Sequence, residues 1–151
     1  MRTWIAATFP LLAGCLAGPW DGTWLFTVER EPINVSGDCY NPADTTVLEG
    51  VTQQWVDIYS TNSSVVVMFD PILEGEPDGK SLTAAGSSSV TTSGYTYTTE
   101  TVLSGDIEDR VFTGTIVQSE ENIAATTYTC DLTYAVTAER AASDSDRYLE
   151  E

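Results

Sequence analysis

From residue 22 onward, apolar residues alternate with threonine and other polar residues, and no stretch repeats every three to four residues long enough for a core helix. A period of two is the signature of strands with one buried face. The first such segment is 22–29, with Trp24, Phe26 and Val28 on one face and Thr23, Leu25 and Thr27 on the other. Segments 50–60 and 64–69 follow, joined at Ser60-Thr61-Asn62-Ser63, a composition that favours a tight hairpin. Gly75-Glu76-Pro77-Asp78-Gly79 reads as a turn-rich loop, 80–86 as a short strand, and the Ser- and Thr-rich run 87–93 as another loop. Longer strands are predicted at 93–104 and 110–119. The last, 123–139, carries Tyr128, Cys130, Leu132, Tyr134 and Val136 on one face. Seven or eight antiparallel strands with one apolar face make an all-β fold, either an up-and-down barrel or a sandwich. No internal repeat is present, and 141–151 is an acidic tail or a short terminal helix.

The first 15 residues follow a different pattern. Met1-Arg2-Thr3 carries one positive charge, 4–11 is apolar, and Leu12-Ala13-Gly14-Cys15 follows directly. The apolar run has the length of a signal-peptide core and is far too short to span a bilayer as a helix. Leu12-Ala13-Gly14-Cys15 resembles the lipobox of bacterial lipoproteins. The resemblance implies a cleaved signal over 1–14 and a fatty acid such as palmitate on Cys15. It also implies a tether over 15–21 and a place in the cell envelope. Leu16, where an aspartate would signal retention at the inner membrane, points to the outer membrane, facing the periplasm or the exterior. The competing reading is an ordinary signal cut after Ala17. The 22–140 segment is then one β domain, long enough for a single core.

Charge narrows the partners. The chain has 6 basic and 23 acidic residues and no histidine. With Arg2 removed, 5 basic residues against 23 acidic ones leave a net charge of −18. Such a surface repels nucleic acid and anionic headgroups, which leaves the lipid anchor as the membrane contact. If Cys15 is acylated, Cys39 and Cys130 remain to pair in an oxidising compartment.

Gly22-Thr23-Trp24 at the start of the first strand resembles the G-x-W signature of lipocalins and their calycin relatives. In that family the tryptophan plugs one end of an up-and-down barrel, and an arginine past the last strand lies over its ring. Arg140 stands at that place, so the resemblance implies that Trp24 and Arg140 form a barrel-closing pair. The chain departs from the family in lacking a T-D-Y motif in its middle and a helix after the last strand.

Candidate chemistry is sparse. Without histidine, the commonest general base, the Ser-His-Asp triad and most zinc sites are excluded. Phosphate-binding glycine loops are absent as well. No catalytic residues and no cofactor are expected. Glu74, Glu76 and Asp78 loosely imitate the start of a calcium loop, but the acid needed at its twelfth position falls on Ala85. A solvated acidic turn is the other reading, and it also fits Asp106, Glu108 and Asp109. Trp55, Tyr59, Tyr95 and Tyr97 are candidates to line a ligand pocket, or to pack across strands. Three functions are therefore weighed. One is a tethered barrel binding a small hydrophobic ligand. Another is a structural or protein-interaction lipoprotein with a filled core, and the most distant is a carboxylate-dependent hydrolase. An interior cavity favours the first and an interior packed with aromatic rings the second.

Overall fold

A computed structural model describes residues 20–39, 53–61, 63–92, 95–123 and 128–141. Among these residues there are nine strands and no helix: β1 (Gly22–Val28), β2 (Asn34–Gly37), β3 (Gln53–Ser60), β4 (Val65–Val67), β5 (Leu73–Asp78), β6 (Ser81–Thr92), β7 (Tyr95–Glu108), β8 (Val111–Ile123) and β9 (Tyr128–Arg140). All pairings are antiparallel, in the order β1-β3-β4-β5-β6-β7-β8-β9, and β1 also pairs with β9. The molecule is a closed eight-stranded up-and-down barrel with one extra strand, which excludes the sandwich. Closure leaves the first and last strands no free edge where they pair.

The extra strand is nearly a continuation of β1. Thr27 and Val28 pair with Thr137 and Val136 of β9, and Asn34 to Gly37 resume along the same strand at Thr133 to Cys130. Residues 29–33 form an outward excursion between the two, held by Glu29 N–H on Ala135 and Ile33 N–H on Thr133. Pro32 lacks an N–H and sits in this excursion, where no ladder bond is required of it.

Alternation assigns the faces as the sequence pattern predicts. Trp24, Phe26 and Val28 point inward, as do Cys130, Leu132, Tyr134 and Val136. The barrel begins earlier than expected, however. Trp20 is wholly buried against Trp24 and Phe112, so 15–21 is not a free tether along its whole length. The indole N–H of Trp24 donates to the Trp20 carbonyl at 2.9 Å, which holds the two rings together. The remainder of the tether, the signal, Cys15 and the tail from 142 onward lie outside the described residues.

Three loop expectations are overturned. The 75–79 segment is mostly strand β5, with Gly75 and Pro77 facing in and Glu74, Glu76 and Asp78 facing out. Only Gly79 and Lys80 turn, and Gly79 has φ +61°, which glycine adopts without a Cβ penalty. Residues 87–92 of the 87–93 run are the outer half of β6, paired with β7 through Thr92, and residue 93 lies outside the described residues. The polarity of this half suits a strand whose outer hydroxyls pair across the ladder, Ser89 with Thr98 and Thr91 with Thr96, each at 3.0 Å. Asp106 and Glu108 likewise belong to β7, and only Asp109 and Arg110 form the turn. Both have positive φ, at 48° and 73°, as a two-residue hairpin turn of the favoured hand requires.

The described ends of the chain, Trp20 and Ala141, meet at one end of the barrel, where Ala141 N–H donates to Thr23. That end is called the tryptophan end below. At the opposite, far end a disulfide joins Cys39 to Cys130, across 91 positions.

Candidate functional site

The interior divides into two halves. In the tryptophan half, Trp20, Trp24, Phe26 and Phe112 form a chain of ring contacts with centroids 5.9–6.3 Å apart. Each is at most 1% exposed. Small residues face them: Ala84, Ala138, Gly105 and Gly114 turn inward on β6 to β9. A Cβ on Gly105 or Gly114 would lie 2.7–2.8 Å from the Phe112 ring, so the ring occupies the space that side chains there would need. Eight strands enclose an interior just wide enough for side chains, and large rings opposite small residues fill it.

At this end Trp24 and Arg140 are cross-strand partners in the β1–β9 ladder. The Arg140 side chain crosses Gly22, where a Cβ would lie 2.8 Å from its Nε. Gly22 has φ +132°, a second reason for glycine at that position. Arg110 donates from Nη2 to the Arg140 carbonyl at 2.7 Å, and Arg140 N–H donates back to the Arg110 carbonyl at 3.0 Å. Lys80 accepts from Ile107 N–H through its backbone. Three of the four described basic residues therefore stand at the tryptophan end, and Arg30 sits in the β1–β2 excursion.

The far half has another character. Phe69, from the connection after β4, packs edge-on against Phe26 at 4.9 Å and caps the apolar stack. Beyond it, β7 and β8 turn a polar row inward. Thr101 and Gln118 are direct cross-strand partners, each 5% exposed. Neither Thr101 Oγ1 nor Gln118 Nε2 has a hydrogen-bond partner. Buried polar atoms without partners cost stability, about 1–3 kcal/mol each. Trp20 Nε1 and Ser60 Oγ are two more such atoms at the tryptophan end. One row farther out, Thr99 and Glu120 pair on the same inner face, both half-buried. Val35 and Val90 also point to this side yet are 42% and 62% exposed, so the inner face is open to solvent at the far end.

The sequence candidates are distributed as follows. Tyr97 shares the inner face with Thr99 and Thr101 and is half-buried at the far end. The Tyr95 side chain lies outside the described residues. Trp55 and Tyr59 are not pocket residues. Their neighbours Val56 and Ile58 are buried inside, so the period of two turns Trp55 and Tyr59 outward, and Tyr59 is 58% exposed. Glu74, Glu76 and Asp78 are exposed on the outer face of an extended strand, where residues two apart are separated by about 6.6 Å and do not converge on one ion. Among the described residues no cluster of three ligating side chains is arranged to hold a metal.

Four elements are not legible in the alternation and motifs alone: Trp20, strands β2 and β5, and the Thr101–Gln118 pair. The last had a signal, because Gln118 follows Phe112 and Ile116 on one parity and is a polar residue at a core position. Compared with protein families, curated proteins and solved structures, the chain matches none of them.

Proposed function

We propose that this chain is a cell-envelope lipoprotein, anchored through a fatty acid on Cys15, whose barrel is a lipocalin-like binding module for a small ligand. The observation that carries the binding reading is the buried, partnerless pair Thr101 Oγ1 and Gln118 Nε2 beneath the open far end. Polar groups placed against their own interest in stability tend to mark sites of function. The lipocalin resemblance of Gly22-Thr23-Trp24 and Arg140 is supported by an eight-stranded barrel in which Trp24 and Arg140 are ladder partners.

The anchor and the barrel fit together. Four residues separate Cys15 from the buried Trp20, so the lipid is attached within about 18 Å of the tryptophan end. The far end then faces away from the membrane, toward the aqueous compartment. The chain has no catalytic role in this reading. The runner-up, a structural or docking lipoprotein, is favoured by the aromatic filling of the tryptophan half.

Two measurements test the proposal. Metabolic labelling with a fatty-acid analogue marks the wild type and not Cys15→Ser. Equal labelling, or a mature N-terminus at Gly18, rules out the anchor. Native mass spectrometry of protein extracted from its own membrane finds a bound small molecule. A retained protein in its place favours the docking role.

A further inference from the structure

We infer that the far half of the barrel selects an uncharged amphiphile. It presents a carbonyl or hydroxyl oxygen to Gln118 and Thr101 and leaves its apolar part along Phe69, Val35 and Val90. The inference rests on the binding-module reading and names the ligand class of that site.

The argument begins with what the two buried groups lack. Gln118 Nε2 is a donor, so its missing partner is an acceptor oxygen. Thr101 Oγ1, directly across the ladder, both donates and accepts, and completes a contact to the same oxygen or to an adjoining hydroxyl. Both atoms are buried, which means a ligand oxygen meeting them is itself withdrawn from water. An anionic oxygen would bring an unpaired charge into that position.

The surrounding charge excludes that charge from the outside as well. From the Thr101–Gln118 row outward, the described residues include no lysine or arginine. They do include Asp38, Glu100, Glu120, Glu121 and Asp131, with Glu120 on the inner face. A carboxylate or phosphate ligand would cross this acidic end to reach two neutral groups unable to offset it. The apolar surface available to the rest of the ligand is modest: two exposed valines and one face of Phe69. That suits a short or singly chained amphiphile.

The test titrates the purified protein by calorimetry with three amphiphiles of equal chain length, each below its micellar concentration. They are 1-monododecanoylglycerol, dodecanoate and dodecylammonium. The neutral glyceride is expected to bind at least about tenfold more tightly than dodecanoate. In Thr101→Val/Gln118→Met, its affinity is expected to drop by at least about tenfold while the urea midpoint stays or rises, because neither replaced group had a partner to lose. Equal or tighter binding of dodecanoate overturns the ligand class and leaves the module standing. A preference for dodecylammonium overturns it by moving recognition to the carboxylates. Undiminished glyceride binding by the double variant, or a lower urea midpoint, removes Thr101 and Gln118 as the site. No binding of any of the three overturns the binding-module reading itself. The comparison of ligands on the wild type depends on no substitution.

Discussion

In the tryptophan half of the barrel, four aromatic rings fill the interior and glycine or alanine stands across from them. In the far half the same strands, β7 and β8, turn Thr99, Thr101, Gln118 and Glu120 inward. The backbone is equally regular in both, so regularity is not what separates them. The first half gains free energy from its inward apolar side chains, roughly 25 cal/mol for each Å² of apolar surface removed from water. The second keeps buried polar atoms without partners and apolar residues partly in water. A barrel built only for stability would continue leucine and valine to its rim. The difference teaches that aromatic rings secure the fold at one end, where Trp20 Nε1 and Ser60 Oγ also lack partners, whereas at the other the unmet Thr101–Gln118 pair lies beneath a polar inner face that is open to solvent.

The far half depends on covalent help, which gives the largest expected effect. The Cys39–Cys130 bridge closes a loop of 91 positions. Replacing both cysteines by alanine is expected to lower stability by roughly 4–5 kcal/mol in the chain-entropy account. Urea unfolding with and without reductant measures this, and coincident curves would show that the far half holds without its fastening. Thiol counting on denatured, non-reduced protein should find no free thiol at either position.

Next comes the tryptophan half. Trp24→Ala is expected to cost about 3–5 kcal/mol as a large truncation in a packed core. Arg140→Ala is expected to cost about 1–2 kcal/mol through lost cover over Gly22 and the tryptophan end. The two losses are expected to sum to more than the double variant shows, as the resemblance implies for an arginine lying over the Trp24 ring. Strictly additive losses in a double-mutant cycle would separate Arg140 from the aromatic stack.

The sign then reverses. Thr101→Val and Gln118→Met are each expected to stabilise the free protein by about 1 kcal/mol, since each removes a buried polar group with no partner. A destabilising result for either would make the far half a continuation of the core rather than its contrast. The smallest effect belongs to the outer wall. Glu74→Gln is expected to change stability by less than about 0.5 kcal/mol, because the residue is exposed on β5. Added calcium should leave the thermal midpoint unchanged, and a clear upward shift would restore the acidic segment as a cation site.

Much of the candidate site is legible in the sequence, and the rest is hidden for specific physical reasons. Chemistry alone marks Trp55 and Tyr59 as pocket candidates, although the buried positions Val56 and Ile58 assign them to the outer wall by parity. Gln118 sat in plain view on an apolar face, but a lone glutamine there gains meaning only beside Thr101, and that neighbour is set by the β7–β8 register. The Ser-rich part of β6 read as a loop because serine has weak strand preference by itself. What stabilises it is a neighbour's hydroxyl across the ladder.

By itself, the sequence determined the all-β class, the inward face of β1 and β9, and the pairing candidates Cys39 and Cys130. Each follows from local alternation or from elimination among three cysteines. It also carries the lipobox resemblance at Cys15, which needs no fold to be read. Only the tertiary structure decided that the sheet closes, that β2 resumes β1 along β9, and that Trp20 enters the core. It alone left Thr101 and Gln118 buried and unmet. The physical reason is that alternation fixes which face a side chain takes, whereas its depth in the barrel and its neighbours are set by pairings between residues far apart in the chain.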